Sequence, residues 1–219
     1  MAGTTEVRYR AAIFDTPDLT AAKSIVLQPE PGMDTEARWI RETSFLADWM
    51  AGALTLDPKA VAIDLGCGVG RLSKIIIERF QVATIGIDIS ASMRAMAVDY
   101  VASPQFMAIS SEMFDAVLRA GLRADMAIAA WVLQHVLDLQ AEIERIWFAL
   151  KPGGLFIVLN MHTRCIPTTA GWADDQQDVH ALLSKRFDYL TDVQIPLAAS
   201  APEVVAQKFL RVYRKPSGI

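Results

Sequence analysis

Cysteine is scarce in this chain: Cys67 and Cys165 are the only two among 219 residues, and they form no motif. That leaves no basis for a disulfide framework or a cysteine-built zinc site, and a reducing, cytoplasmic setting is expected. Histidine is scarce as well. His135, His162 and His180 are dispersed, so no metal is expected in the chemistry. Long hydrophobic runs are missing too: the longest, Met126 to Leu133, has eight residues, far short of the ~20 that cross a bilayer. Met1 to Arg10 is polar and charged, with no apolar leader segment. Positive charge is also in deficit, with a net charge of −4. Phosphate backbones demand clustered Lys and Arg, so nucleic acid is not an expected partner. The one basic group, Arg211, Arg214 and Lys215, reads as a solvated strand edge.

What the chain has in quantity is apolar residues, 53% against 21% charged, enough for one α/β domain with a large core. The composition changes near Asp57-Pro58. Before it come a turn-rich stretch, Gln28 to Gly32, and a helix from Asp34 to Met50; residues 1–57 read as an N-terminal helical cap or lid. After it, in residues 58–219, apolar runs alternate with helical ones. Val61–Asp64, Thr84–Asp88, Phe106–Ile109, Met126–Ala129 and Leu155–Leu159 read as strands covered on both faces. Leu72–Phe80, Ala91–Val101, Glu112–Ala120 and Leu139–Leu150 read as the helices between them. Lys151-Pro152-Gly153-Gly154 stops the last helix. The expected fold is a doubly wound, mostly parallel seven-stranded sheet, finished by an antiparallel hairpin of Tyr189–Ile195 and Lys208–Arg214.

The first strand runs into Asp64-Leu65-Gly66-Cys67-Gly68-Val69-Gly70-Arg71, and a helix follows. Alternating glycines at such a turn let the backbone approach a ligand, and the helix start favours an anionic group. Asp88 ends the second strand, eighteen residues past Gly70, where a carboxylate can accept both hydroxyls of an adenosine ribose. A nicotinamide-binding loop would carry its third glycine at position 71, and that residue is Arg71. Arg71 instead suits the carboxylate of a methionine moiety.

On these residues the chain resembles the class I S-adenosylmethionine (SAM)-dependent methyltransferases. VAIDLGCGVGR (Val61–Arg71) is similar to their first motif and GIDIS (Gly86–Ser90) to their acidic-loop motif. ADMAIAAWVLQHV (Ala124–Val136) resembles the fourth-strand motif, and LKPGGLFIVL (Leu150–Leu159) the turn into strand five. The resemblance implies SAM as cofactor, over Asp64, Gly66, Cys67, Gly68, Gly70 and Arg71, with Asp88 on the ribose. It further implies Ile89 and Met93 beside adenine and Ala129 near the methionine part. Many family members place an aspartate after strand three for the adenine amine; Ser110, Ser111 and Glu112 stand there in this chain.

Methyl transfer is a direct displacement, so the protein chiefly has to align an acceptor lone pair and exclude water. Candidates for acceptor contacts are Trp131 and His135 after strand four, with His135, Asn160 and His162 able to handle a proton. Trp39 and Tyr9, with Phe14 and Arg38, are candidates for the lid. The string Trp131 to His135, together with Gly70-Arg71, is also similar to the α-N-terminal protein methyltransferases. The expected activity is methylation of a small-molecule oxygen, nitrogen or carbon; a protein N-terminus as acceptor, a non-catalytic SAM-binding protein and a nicotinamide oxidoreductase are the alternatives.

Overall fold

The computed structural model describes residues 7–218; residues 1–6, most of the stretch read as lacking a leader, and residue 219 lie outside the described residues. The chain opens with a 3-10 turn (Ala11–Phe14), α1 (Leu19–Val26) and α2 (Thr35–Ala53). Strands and helices then alternate: β1 (Val61–Leu65), α3 (Arg71–Phe80), β2 (Ala83–Ile87), α4 (Ala91–Val101), β3 (Phe106–Ile109), α5 (Ser111–Arg119), β4 (Ala124–Ala130), α6 (Leu139–Ala149). Then follow β5 (Leu150–Met161), β6 (Ile166–Thr168), β7 (Gly171–Ala173), α7 (Val179–Leu183), β8 (Asp188–Asp192), α8 (Pro202–Val205) and β9 (Lys208–Arg214).

Seven strands form one sheet in the order β3-β2-β1-β4-β5-β9-β8. β1 to β5 run parallel, while β9 is antiparallel to both β5 and β8. The expected doubly wound sheet and its antiparallel finish are both present, although β8 and β9 are joined through α8 and not by a tight turn. Strand order reverses between β1 and β4, and a crevice opens at the carboxyl ends of strands at such a point.

β4 shows why the parallel strands are apolar throughout. Ala127 and Ala129 pack on one face with Phe114, Ile143, Ile146 and Phe156. Met126 and Ile128 pack on the other with Leu46, Met50, Ile75 and Ile76. Side chains alternate across a strand, so a sheet with helices on both faces needs apolar residues at both phases. α5, α6 and α7 cover the first face, and α2 and α3 the second.

Short polar side chains set the helix starts. Asp34 accepts from the Ala37 N–H at 2.8 Å and Asp138 from the Ala141 N–H at 2.9 Å. α3 instead begins at Gly70, in the left-handed region, where a Cβ would collide with Val101 of α4. The described part of the N-terminal segment, residues 7–57, divides in two: α2 belongs to the sheet's covering layer, whereas the residues around α1 stand at the crevice. α1 and the small antiparallel pair β6–β7 are additions to the expected elements. Residues 8–10 lie against β6: Arg10 N–H donates to Pro167 O, and Thr169 N–H to Arg8 O, both at 2.9 Å. Among the described residues no helix is long and apolar enough to cross a membrane.

Candidate active-site cleft

A cleft of about 400 Å³ opens over the carboxyl ends of β1, β2 and β4, within the ~300–1,000 Å³ usual for small-ligand sites. Its floor is Leu65, Gly66, Gly68 and Ile87 to Ile89. At Gly66 the backbone is left-handed (φ 64°), and a Cβ would collide with Val132. The loop after β4 therefore lies directly on the glycine turn. Asp88 is fixed by two backbone donors: Gly68 N–H reaches Oδ2 and Ser90 N–H reaches Oδ1, each at 2.8 Å. Burial raises its pKa, against the pull of those N–H groups. Each oxygen keeps a lone pair for a further donor.

Behind the floor, Asp64 is 2% exposed and accepts both the Ser73 N–H (2.9 Å) and the Ser73 hydroxyl (2.7 Å). Desolvation pushes its carboxyl up to about 6. It fastens β1 to α3 and does not line the cleft.

The side facing α6 is made by the loop after β4. Trp131 adopts a left-handed backbone (φ 63°), a conformation that costs a non-glycine residue about 1–3 kcal/mol. Its N–H donates to Leu159 O at 2.7 Å and its indole N–H to Glu42 Oε1 at 2.8 Å. Arg38 and Lys208 each stand 5.0 Å from its ring centre.

His135 lines the cleft with its tautomer fixed by neighbours. Its Nδ1 lies 2.6 Å from the Cys165 carbonyl, which only accepts, so Nδ1 carries the proton. Gln134 Oε1 accepts from Met161 N–H, leaving its amide NH₂ to donate to His135 Nε2 at 3.0 Å. Burial lowers the His135 pKa, and the ring is neutral. Phe14 and Trp172 pack against it at 5.6 and 5.4 Å.

Tyr9, Phe14, Ile25 and Val26 also line the cleft. Arg164 supports the loop after β4 from outside the cleft lining: fully buried, it donates to the carbonyls of Leu133 and Val136 and pairs with Asp175 at 3.0 Å. The remaining wall comes from α6, with Asp138, Ala141, Glu142 and Arg145.

The expected site residues thus divide. Gly66, Gly68, Asp88, Ile89, Met93, Ser111, Trp131, His135, Tyr9 and Phe14 all line the cleft. Ala129 does not; it faces the core, and its neighbour Ala130 takes the wall. Cys67 is buried with its Sγ under β2, and Gly70 serves the contact between α3 and α4. The Arg71 fork is used by Glu42 (3.0 Å) and Thr43 (3.2 Å), away from the cleft. Ser110 caps α5 through the Met113 N–H, and Glu112 is exposed outside. Trp39 is buried with Val69 and Met93, and Arg38 belongs to the same buried ion cluster as Glu30 and Glu42. Asn160 is wholly buried, accepting from Gln134 N–H at 3.1 Å, while His162 lies exposed against Phe209. Neither reaches the cleft. His180 is bonded to the Tyr213 hydroxyl, remote from it. Glu142, Arg145 and Arg164 escaped the sequence reading. The signal for Glu142 was a carboxylate three residues past Leu139, at the border of an apolar helix stripe. Among the described residues no cluster of three His, Cys, Asp or Glu could hold a metal ion.

Comparison with known proteins agrees with this architecture. A family model described as a methyltransferase domain matches residues 34–192. The ubiquinone biosynthesis O-methyltransferase of Methylobacterium nodulans is 32% identical over 101 residues, 46% of this chain and 40% of that protein. A trans-aconitate 2-methyltransferase of Paracidovorax citrulli is 28% identical over 151 residues, 63% of this chain and 57% of its own length. The chain therefore spans about half the length of these curated relatives. Among solved structures, the geranyl diphosphate C-methyltransferase of Streptomyces coelicolor, in complex with Mg2+, geranyl diphosphate and S-adenosylhomocysteine, superposes with a TM-score of 0.62. It is 15% identical and covers 78% of this chain and 80% of that one. A Rossmann-like sheet with a glycine turn and an acidic residue after the second strand is the arrangement of the class I SAM-dependent methyltransferases, and the matching family model is a methyltransferase domain. This chain belongs to that methyltransferase family.

Proposed function

We propose that the cleft binds SAM and that the chain transfers its methyl group to a small-molecule oxygen, nitrogen or carbon. The observation that carries this reading is Asp88, held by Gly68 and Ser90 with free lone pairs facing the cleft beside the left-handed Gly66 turn. That arrangement fits a ribose with two free hydroxyls and a thin ligand passing over the backbone.

SAM, when bound, supplies an electrophilic methyl that an acceptor lone pair displaces in line. The protein's own part is positioning and exclusion of water. Tyr9, Phe14 and α1 form a lid, and His135 with Trp172 braces it from the other side. A neutral His135 whose Nε2 already accepts from Gln134 orients the wall and takes a proton only after that bond is released.

The wall also carries a statement about the acceptor. Among the described residues, Asp88, Asp138 and Glu142 line the cleft, and the one arginine that lines it, Arg145, is held by Asp115 and Glu142. A polyanion such as a tricarboxylate or a diphosphate finds no free cation among those lining residues, so a neutral or cationic acceptor is favoured.

Calorimetric titration with SAM, S-adenosylhomocysteine and NAD tests the reading. Micromolar binding of the first two, weakened more than tenfold in Asp88→Ala, is expected. Binding of NAD instead, or unchanged SAM affinity in Asp88→Ala, would overturn it.

A further inference from the structure

Among the described residues three carboxylates line the cleft, and two of them are engaged by the fold. Asp88 is held by Gly68 and Ser90, and Asp138 caps α6. Glu142 differs. Its Oε2 accepts from Arg145 Nη1 at 2.8 Å, whereas its Oε1 is buried with no hydrogen-bond partner. Arg145 is fixed in turn by Asp115 of α5 at 2.9 Å, and the Glu142 side chain is only 13% exposed. A buried acceptor left unpaired is costly. On a cleft wall, that cost is removed by a ligand that brings a donor.

The position of Glu142 says which part of the ligand that is. The bridge to Asp115 places it at the α5 side of the cleft, where Ser111 also lines the wall. In the sheet order, β3 and α5 lie beyond β2, on the opposite side of Asp88 from Trp131. A nucleoside with its ribose on Asp88 and its sulfur end toward Trp131 extends its base over Ile89 toward Ser111 and Glu142. The edge of adenine carries one donor group, the 6-amino group. Ser110 is committed to capping α5, and Glu112 points outside the cleft. Glu142 is then the carboxylate within reach of the base.

We propose that Glu142 Oε1 accepts the 6-amino group of the cofactor's adenine and selects for that base. The inference rests on the cleft being the SAM site. Burial raises the Glu142 pKa, and the Arg145 guanidinium opposes the rise.

The test is a ligand-by-residue cycle read by calorimetry. S-adenosylhomocysteine is compared with its analogue bearing hydrogen in place of the 6-amino group, on the wild-type chain and on Glu142→Ala. The wild type is expected to prefer the amino ligand at least tenfold, and Glu142→Ala to bind the two within about twofold. Should Glu142→Ala unfold, the isosteric Glu142→Gln replaces it, with the preference expected to fall at least threefold. If the wild type binds S-adenosylhomocysteine and the preference is the same in the variant, Glu142 is not the amine's acceptor. If the wild type binds neither ligand, the cofactor assignment itself fails.

Discussion

The floor of the cleft, from β1 through the glycine turn to β2, is largely backbone around Gly66 and Gly68 with Asp88 as its charged side chain; the wall of residues 130–145 is built from side chains. The floor is drawn from one short stretch of chain, Leu65 to Ile89. The rest of the lining draws on residues as distant as Tyr9 and Arg145. A backbone surface is set by φ and ψ, so it varies little with the identity of most residues. A side-chain surface can be rebuilt for each acceptor while the floor stays as it is.

The difference can be broken most severely at Arg164. Its buried guanidinium ties the loop after β4 to Asp175, so Arg164→Met leaves two carbonyls and a carboxylate without their donor. A loss of about 3–5 kcal/mol in denaturant unfolding is expected; a loss under ~1 kcal/mol would mean that solvent replaces the guanidinium.

Behind the floor, Asp64 offers a pH-dependent test. Its folded pKa of about 6 lies above the ordinary 3.8, so the folded state holds the proton longer. The stabilisation is full below pH 4 and is lost as pH rises toward 6, by at most about 3 kcal/mol. Asp64→Asn does not titrate. Its stability relative to wild type should therefore improve between pH 4 and pH 7, and parallel curves would refute the raised pKa.

The smallest effect is expected at the lid. Phe14→Ala removes one ring from His135 without touching the sheet. S-adenosylhomocysteine affinity should fall about threefold to tenfold with the melting temperature nearly unchanged. An altered melting temperature with unaltered affinity would reassign Phe14 to folding.

The floor was legible in the sequence because its causes are local. Gly66, Gly68 and Asp88 stand at a strand-to-helix turn and a strand end, and spacing alone puts them side by side. The misplacements have equally physical causes. Ala129 and Ala130 differ only in strand phase, which an unbroken apolar run does not reveal. Arg71 is indistinguishable in sequence from a ligand-binding arginine, yet Glu42, twenty-nine positions earlier, occupies its fork. Asn160 and His162 adjoin β5 as expected, but one turns into the Gln134 network and the other onto Phe209. Glu142 and Arg164 depend on partners that only the folded chain supplies.

The pairing of residues 8–10 with β6 has a consequence for synthesis. On the ribosome, the glycine turn and Asp88 emerge long before Pro167 and Thr169, the partners of Arg10 and Arg8. The lining from Leu65 to Ile89 is therefore synthesised well before the partners that hold residues 8–10 in place. The contacts that hold residues 8–10 beside the cleft form only after β6 has been made.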